Sequence, residues 1–171
     1  CVSYFKDYVG YVVHSLGEHV RYWVTINEPL VYTYHGYVIG IWPPQEQSFF
    51  KSAKAEKNLS LAHQQAYKLI HAFYKDKNLG LPSVSIAKNV QAFVPCPGNP
   101  MNTLSAHIRN IYFNLRFVEN LLRKNTLDYI GLNYYTRQLV DINGWGFRHF
   151  ALDTCVRNHS PMQKNDMGWD I

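Results

Sequence analysis

Three largely apolar runs separated by helical patterns limit the folds open to this chain. The runs are VRYWVTIN at 20–27, SVSIAKNV at 83–90 and LDYIGLNYY at 127–135. Strands that alternate with helices predict parallel βαβ units. Both faces of a parallel sheet are covered, so its strands read as near-continuous apolar runs, as these do. The sequence therefore predicts an α/β fold, either a small doubly wound sheet or part of a (β/α)8 barrel.

The segments between these runs carry apolar residues at helical spacing. Gly17 is the predicted stop of the first helix, and 78–80 that of the second. The predicted apolar faces are, in order, Phe5, Tyr8, Val9, Val12, Val13 and Leu16; Leu59, Ala62, Ala66, Leu69, Ile70 and Phe73; Ile108, Ile111, Leu115, Val118 and Leu122. The piece up to Pro44 and the stretch from Asp141 onward have no clear period, and we expect loops there.

Composition excludes several classes of function. The net charge is +5, but the basic residues are scattered and form no nucleic-acid-binding stripe. No apolar run reaches the roughly 18 residues that a membrane helix needs. No strand is followed by a GxGxxG or Walker loop, so nothing favours a nucleotide cofactor. With 171 residues, the chain has the size of one domain.

The cysteines are odd in number and far apart, at Cys1, Cys96 and Cys155. Without CxxC pairs, they argue against a disulfide scaffold and against a zinc site. We predict no metal and no cofactor. Unpaired cysteines favour the cytoplasm, but the compartment and the oligomeric state stay open, since the chain begins with Cys rather than Met and its N-terminus is expected to be incomplete.

Polar side chains stand at the ends of two of the predicted strands. Asn27 and Glu28 end the first strand, and Asn133 and Tyr135, two residues apart and so on one face, end the third. In a barrel the active site lies at the carboxyl ends of the strands. Pro29 has no amide hydrogen to extend the ladder, so it stops the strand at the cleft. Each residue also has a structural alternative. Glu28 could form a surface salt bridge, Asn27 could be a turn-forming amide, and Asn133 and Tyr135 could belong to a polar layer inside the barrel.

Several spaced motifs resemble the glycoside hydrolase family 1 β-glycosidases. FxxYxxxVxxxLGxxVxxWVTINEP runs from Phe5 to Pro29, and its TINEP end looks like the family's acid/base motif at barrel strand four. GYxxGxxPP at 36–44, LxLAHxxA at 59–66, LDYIGLNYY and DMGWDI at 166–171 also match. The resemblance covers nearly the whole chain.

This resemblance implies a (β/α)8 TIM barrel of which the chain holds the middle part, strands four to six. Residues 1–171 would then be a partial catalytic domain of a retaining β-glucosidase-type hydrolase of carbohydrate metabolism. The resemblance makes Glu28 the general acid/base, Asn27 a ligand of the sugar 2-hydroxyl and Tyr135 the residue that tunes the nucleophile. Asn133 would support the same site. His63 is expected to make a structural hydrogen bond.

The expected partner is a β-linked glycoside, with no nucleic acid and no membrane. The family's nucleophilic glutamate is expected beyond residue 171, so the chain alone should be inactive. Two alternatives remain: a transglycosidase on the same scaffold, and a catalytically inactive carbohydrate-binding homologue.

Overall fold

The computed structural model describes residues 1–155 and 164–168, so the end of the predicted DMGWDI motif, at 169–171, lies outside the described residues. Strands and helices alternate as predicted, and the strands form one sheet in the order β1-β2-β3. The elements are α1 (Val2–Leu16), β1 (Tyr22–Asn27), α2 (Pro29–Thr33), a π-helical turn (Tyr34–Val38), α3 (Phe49–Asp76), β2 (Ser83–Pro95), α4 (Pro100–Arg109), a second π-helical turn (Asn110–Leu115), α5 (Arg116–Leu122), β3 (Gly131–Val140) and α6 (Phe147–Leu152).

The chain divides into two compact units. One consists of Cys1–Asn89 and Phe117–Asn133, and the other of Val90–Arg116 and Tyr134–Ile171. The first unit holds β1 together with the amino-terminal parts of β2 and β3. Among the described residues, no helix has the length and apolar character that crossing a membrane requires.

The core of the first unit lies between α1, α3 and β2. Its buried members are Val9, Val13, Ala66, Ile70, Phe73, Tyr74 and Val84. Gly17 follows α1, as predicted, but its backbone is right-handed with φ −59°. A Cβ at this position would lie 2.5 Å from Cε1 of Phe73. Glycine is therefore needed at this helix end for close packing rather than for a left-handed turn.

Helix α3 is longer than its apolar pattern predicts. It begins after Ser48, whose Oγ accepts a hydrogen bond of 3.3 Å from the amide of Lys51. Its first three turns bury Ser52, Glu56 and Ser60. Because this buried face is polar, an apolar period cannot reveal it. The predicted stop is correct, and Asn78 in that segment has a left-handed φ of 58°.

The second unit contains a disulfide between Cys96 and Cys155. The interpretation that the cysteines are unpaired is therefore wrong for Cys96 and Cys155. The argument for the cytoplasm depended on unpaired cysteines and no longer holds. Asn102 is fully buried beside the bridge, and its Nδ2 donates to the carbonyl of Cys96 at 3.0 Å and to Asp141 at 2.9 Å. Sequence spacing missed the bridge because 59 residues separate the two cysteines.

The predicted third helix is broken by the π-helical turn Asn110–Leu115. A π-helical turn holds extra chain and rotates the residues that follow around the helix axis. The predicted apolar face is wrong for Ile108, which precedes the turn, and for Ile111 and Leu115, which lie within it, since each is 43% exposed. Phe117 and Leu121 are buried instead.

Two segments predicted as loops contain helices. One is the region of α2 and the first π-helical turn, and the other is α6. Arg109 holds α6 by donating from Nε and Nη2 to the carbonyl of Phe150, at 3.1 and 2.9 Å. These contacts join residues far apart in sequence, so no local pattern predicts them.

Candidate active site

Helix α3 supports strand β1 through alternate side chains of the strand. Trp23 Nε1 donates to the hydroxyl of Tyr74 at 3.0 Å, and Thr25 Oγ1 lies 2.6 Å from Nδ1 of His63. Side chains along a strand alternate between its two faces. A regular strand would therefore direct Asn27 toward α3 as well.

A β-bulge changes the direction of Asn27. The pairing of β1 with β2 is parallel and regular from Tyr22–Ser83 to Val24–Ser85, and the next pair is Asn27–Ala87. Three steps along β1 thus match two along β2. An extra residue of this kind re-aims the side chains that follow it. Asn27 Oδ1 accepts a hydrogen bond of 3.1 Å from Nδ2 of Asn133 on β3.

Glu28 has a left-handed backbone, with φ 47° and ψ 56°. Such a conformation is uncommon for a residue with a side chain, and strained residues cluster at functional sites as well as in turns. The amide of Glu28 donates to the carbonyl of Ala87 at 2.7 Å, and its carbonyl accepts from Val31 at 3.0 Å as α2 begins. Pro29 is buried at the first position of α2. The backbone of Glu28 is therefore fixed on both sides.

Asn133 brings the two predicted residues of β1 together. Its Nδ2 donates to Oε1 of Glu28 at 2.7 Å as well as to Asn27. With the amide turned over, its carbonyl oxygen would face two other acceptors, so the hydrogen-bond pattern determines its orientation. Asn27, Glu28 and Asn133 form one cluster within the first compact unit.

Tyr135 lies two residues beyond Asn133 on β3, in the second compact unit, and is 42% exposed. Strand β3 continues to Val140, whose carbonyl accepts from the amide of Cys96 at 2.9 Å. The prediction that β3 ends at Tyr135 is therefore wrong, because pairing with the segment after β2 extends the strand. The role of Tyr135 toward a nucleophile stays a prediction.

Lys88 is a charged neighbour of the cluster that the sequence analysis missed. It follows Ala87 on β2, is only 1% exposed, and its Nζ donates to the carbonyl of Asn89. Burial lowers the pKa of Lys88 to about 8, while the attraction of Glu28 acts in the opposite direction. At neutral pH the lysine is mostly protonated and places a positive charge near Glu28. A lysine inside the apolar run SVSIAKNV is the signal that marks it.

In residues 1–155 and 164–168, no group of three or more His, Cys, Asp and Glu side chains is arranged to hold a metal ion. What the cluster offers is a carboxyl group, two amides and a buried cation. A carboxyl held in place by an amide N–H at a strand end is suited to moving a proton to or from a bound molecule.

Residues 1–123, which include Asn27 and Glu28, match the sequence model of Glycosyl hydrolase family 1. The chain belongs to this family. Beta-glucosidase A of Thermotoga maritima is 26% identical to it over an alignment of 191 positions, gaps included, which covers 99% of the chain and 42% of that protein. Beta-glucosidase-like SFR2 of Oryza sativa subsp. japonica is 30% identical over an alignment of 149 positions, gaps included, which covers 81% of the chain and 22% of the relative.

Solved structures of the family share the fold. The chain superposes on the beta-glycosidase from Pyrococcus horikoshii with a TM-score of 0.83 and 29% identity, covering 99% of the chain and 40% of that protein. The predicted fold, an α/β chain that forms part of a (β/α)8 barrel, is confirmed: the chain is a partial α/β domain with a three-stranded sheet. The chain spans less than half the length of these family 1 relatives.

Proposed function

We propose that this chain supplies the general acid/base part of a retaining β-glycosidase that acts on β-linked glucosides or galactosides. The observation that supports the proposal most is the contact of Asn133 with both Asn27 and Glu28. Asn133 of β3 thereby holds the amide of Asn27, at the end of β1, and the carboxyl of Glu28, the next residue. The family match over residues 1–123 supports the glycosidase class.

Retaining glycosidases use two carboxyl groups about 5–5.5 Å apart. In the proposed mechanism, Glu28 protonates the glycosidic oxygen while the second carboxylate attacks the anomeric carbon. Glu28 then removes a proton from the incoming water, which releases the sugar. The fixed backbone of Glu28 suits this double role, because the same carboxyl must serve two steps without moving far.

Asn27 is proposed to hydrogen-bond the sugar 2-hydroxyl, an interaction that strengthens as positive charge develops on the sugar ring. The Oδ1 of Asn27 already accepts a hydrogen bond from Asn133, so the Nδ2 of Asn27 points away from Asn133. Tyr135 is proposed to donate to the nucleophilic carboxylate, which we expect outside residues 1–171.

Transglycosylation is the second candidate function, favoured by one comparison. Galactolipid galactosyltransferase SFR2 of Arabidopsis thaliana is 30% identical to the chain over an alignment of 149 positions, gaps included, which covers 81% of the chain and 23% of that protein. Transfer and hydrolysis proceed through the same glycosyl-enzyme and differ in whether a sugar hydroxyl or water accepts the glycosyl group. Glu28 would serve as acid and base in both reactions.

The test compares leaving groups in the full-length protein. Glu28→Gln should lower kcat/KM for a poor leaving group, as in cellobiose, by roughly 10²–10⁴-fold, the range expected for general acid catalysis. The same substitution should lower kcat/KM for 2,4-dinitrophenyl β-glucoside far less, since the dinitrophenolate leaving group needs little protonation. Glu18→Gln, at an exposed glutamate after α1, is the matched control.

Equal losses for the two substrates, or no loss, would remove Glu28 from the acid/base role. Adding methyl β-galactoside as an acceptor and measuring the ratio of transfer product to free sugar separates the two candidate functions. A wild-type protein that binds glycosides without turnover would indicate the inactive carbohydrate-binding homologue.

A further inference from the structure

His63 lies at the junction of three segments of the first compact unit. It projects from α3, is fully buried, and contacts Thr25 of β1 through Nδ1 at 2.6 Å. Its Nε2 lies 2.5 Å from the carbonyl oxygen of Thr126, in the segment that leads to β3. The expected structural hydrogen bond is thus present, and there are two of them.

The partners of His63 determine its tautomer. A carbonyl oxygen only accepts, so Nε2 carries the hydrogen and donates to Thr126. In the neutral ring Nδ1 then accepts from the Thr25 hydroxyl at 2.6 Å, and the carbonyl oxygen of Ser85 lies farther from that hydroxyl, at 3.2 Å. Burial lowers the pKa of His63, while the Thr126 carbonyl and Asp128 act in the opposite direction. The ring of Tyr67, a further titratable group, lies next to that of His63, with 6.3 Å between the ring centroids.

Both bonded segments lead directly to the candidate site. Thr25 stands three residues before Glu28, and the bulge between Val24 and Asn27 interrupts regular pairing on that side. Thr126 is fixed in turn, since its amide and its hydroxyl each donate to the carbonyl of Leu121 at 3.1 Å. The imidazole therefore connects the segment that leads to Glu28 with the segment that leads to Asn133.

We propose that His63 is a positioning residue whose neutral ring, bonded to Thr25 and Thr126, sets the placement of Glu28 against Asn133. The backbone bond of Glu28 to Ala87 holds this end of β1 against β2, and the contact of Thr25 with His63 adds a constraint from α3. The catalytic consequence rests on the proposed function of Glu28, whereas the geometric consequence requires no turnover and is measurable by itself.

The structure offers a matched control on the same two elements. The Trp23–Tyr74 hydrogen bond also joins β1 to α3, but Trp23 precedes the bulge and lies five residues before Glu28. Removing that bond with Tyr74→Phe should lower stability without moving Glu28. Removing the bond of His63 to Thr25 should lower stability and also move Glu28.

The experiment follows the ¹³C resonance of the Glu28 carboxyl and the side-chain amide signals of Asn133 in the full-length protein. The Glu28 signal is assigned by its loss in Glu28→Gln. His63→Phe and the nearly isosteric Thr25→Val should shift both sets of signals, and Tyr74→Phe should not. His63→Asn, which keeps an acceptor near the position of Nδ1, should restore part of the shift.

Unmoved signals in Thr25→Val, which is mild enough to fold, would overturn the proposal, as would an equal shift in Tyr74→Phe. In the full-length protein, His63→Phe should lower kcat by about 10- to 100-fold, as expected for a misplaced catalytic group. A full-length protein without any glycosidase or transferase activity would contradict the proposed function and leave the spectroscopic result on His63 standing.

Discussion

Asp128 connects three parts of the first compact unit, and replacing it tests how that unit is held together. One carboxyl oxygen accepts from the hydroxyl of Tyr67 at 2.6 Å. The other accepts from Nε2 of His71 and from the amide of Val84, both at 2.8 Å. Asp128→Asn keeps the size of the side chain, removes its charge and replaces one oxygen by an N–H donor.

Hydrogen bonds to charged groups contribute roughly 1.5–3 kcal/mol each, and neutral ones about half of that. The Asp128 side chain is 26% exposed, so solvent screening reduces the effect. We expect Asp128→Asn to lower the free energy of unfolding by about 2–3 kcal/mol. For a chain of this size that corresponds to a Tm lower by roughly 4–12 °C.

The pH dependence has a defined sign. Burial acts to raise the pKa of Asp128, but the hydrogen bonds from Tyr67, Val84 and His71 outweigh it, and the pKa is lowered. A carboxyl whose pKa is lower in the folded state stabilises the protein above its unfolded-state pKa. That contribution is lost as the pH falls through the folded-state pKa. The difference in Tm between wild type and variant should therefore shrink in acid.

Thermal unfolding followed by near-UV circular dichroism, at neutral and at acid pH, measures both effects. Asp76→Asn, at the exposed end of α3, is the control for loss of one negative charge. Equal Tm values for wild type and Asp128→Asn at neutral pH would refute the reasoning. So would a difference that grows as the pH falls.

Three further predictions concern the site, the disulfide and the isolated chain. Asn133→Leu in the full-length protein should lower kcat/KM by about 10²-fold with an unchanged circular dichroism spectrum, because Glu28 loses its amide partner; an unaltered rate contradicts this. Thiol labelling of the unreduced chain should modify Cys1 alone, and reducing the Cys96–Cys155 bridge should lower stability by roughly 2–4 kcal/mol; labelling of all three cysteines contradicts the pairing. Residues 1–171 alone should hydrolyse no aryl β-glucoside, and a folded monomer whose turnover disappears in Glu28→Ala would show that the remaining barrel is not needed.

The sequence predicts much of the site because its signals are local. The apolar run before Asn27 and Glu28 and the proline after them mark a strand end that presents polar side chains. The match of Tyr22–Asn27 to β1 depends only on composition and on that stop. The family resemblance adds the chemistry that spacing alone leaves open.

What the sequence does not predict depends on contacts between distant segments. The bulge that re-aims Asn27 arises from the register of β1 on β2, which no local pattern encodes. The Cys96–Cys155 bridge joins segments 59 residues apart. The apolar run SVSIAKNV marks Lys88 as unusual, but the burial of its side chain also depends on the central position of β2 in the sheet.

The central claim is that Glu28 is the acid/base of a retaining mechanism, and azide rescue tests it most directly. The full-length Glu28→Ala variant should hydrolyse 2,4-dinitrophenyl β-glucoside slowly, because the glycosyl-enzyme forms but no base activates water. Azide needs no base, so adding it should restore turnover and yield β-glucosyl azide with retained configuration, seen in the ¹H spectrum of the anomeric proton. Wild-type rates without azide, or slow hydrolysis that azide leaves unchanged with no glycosyl azide formed, would contradict the account.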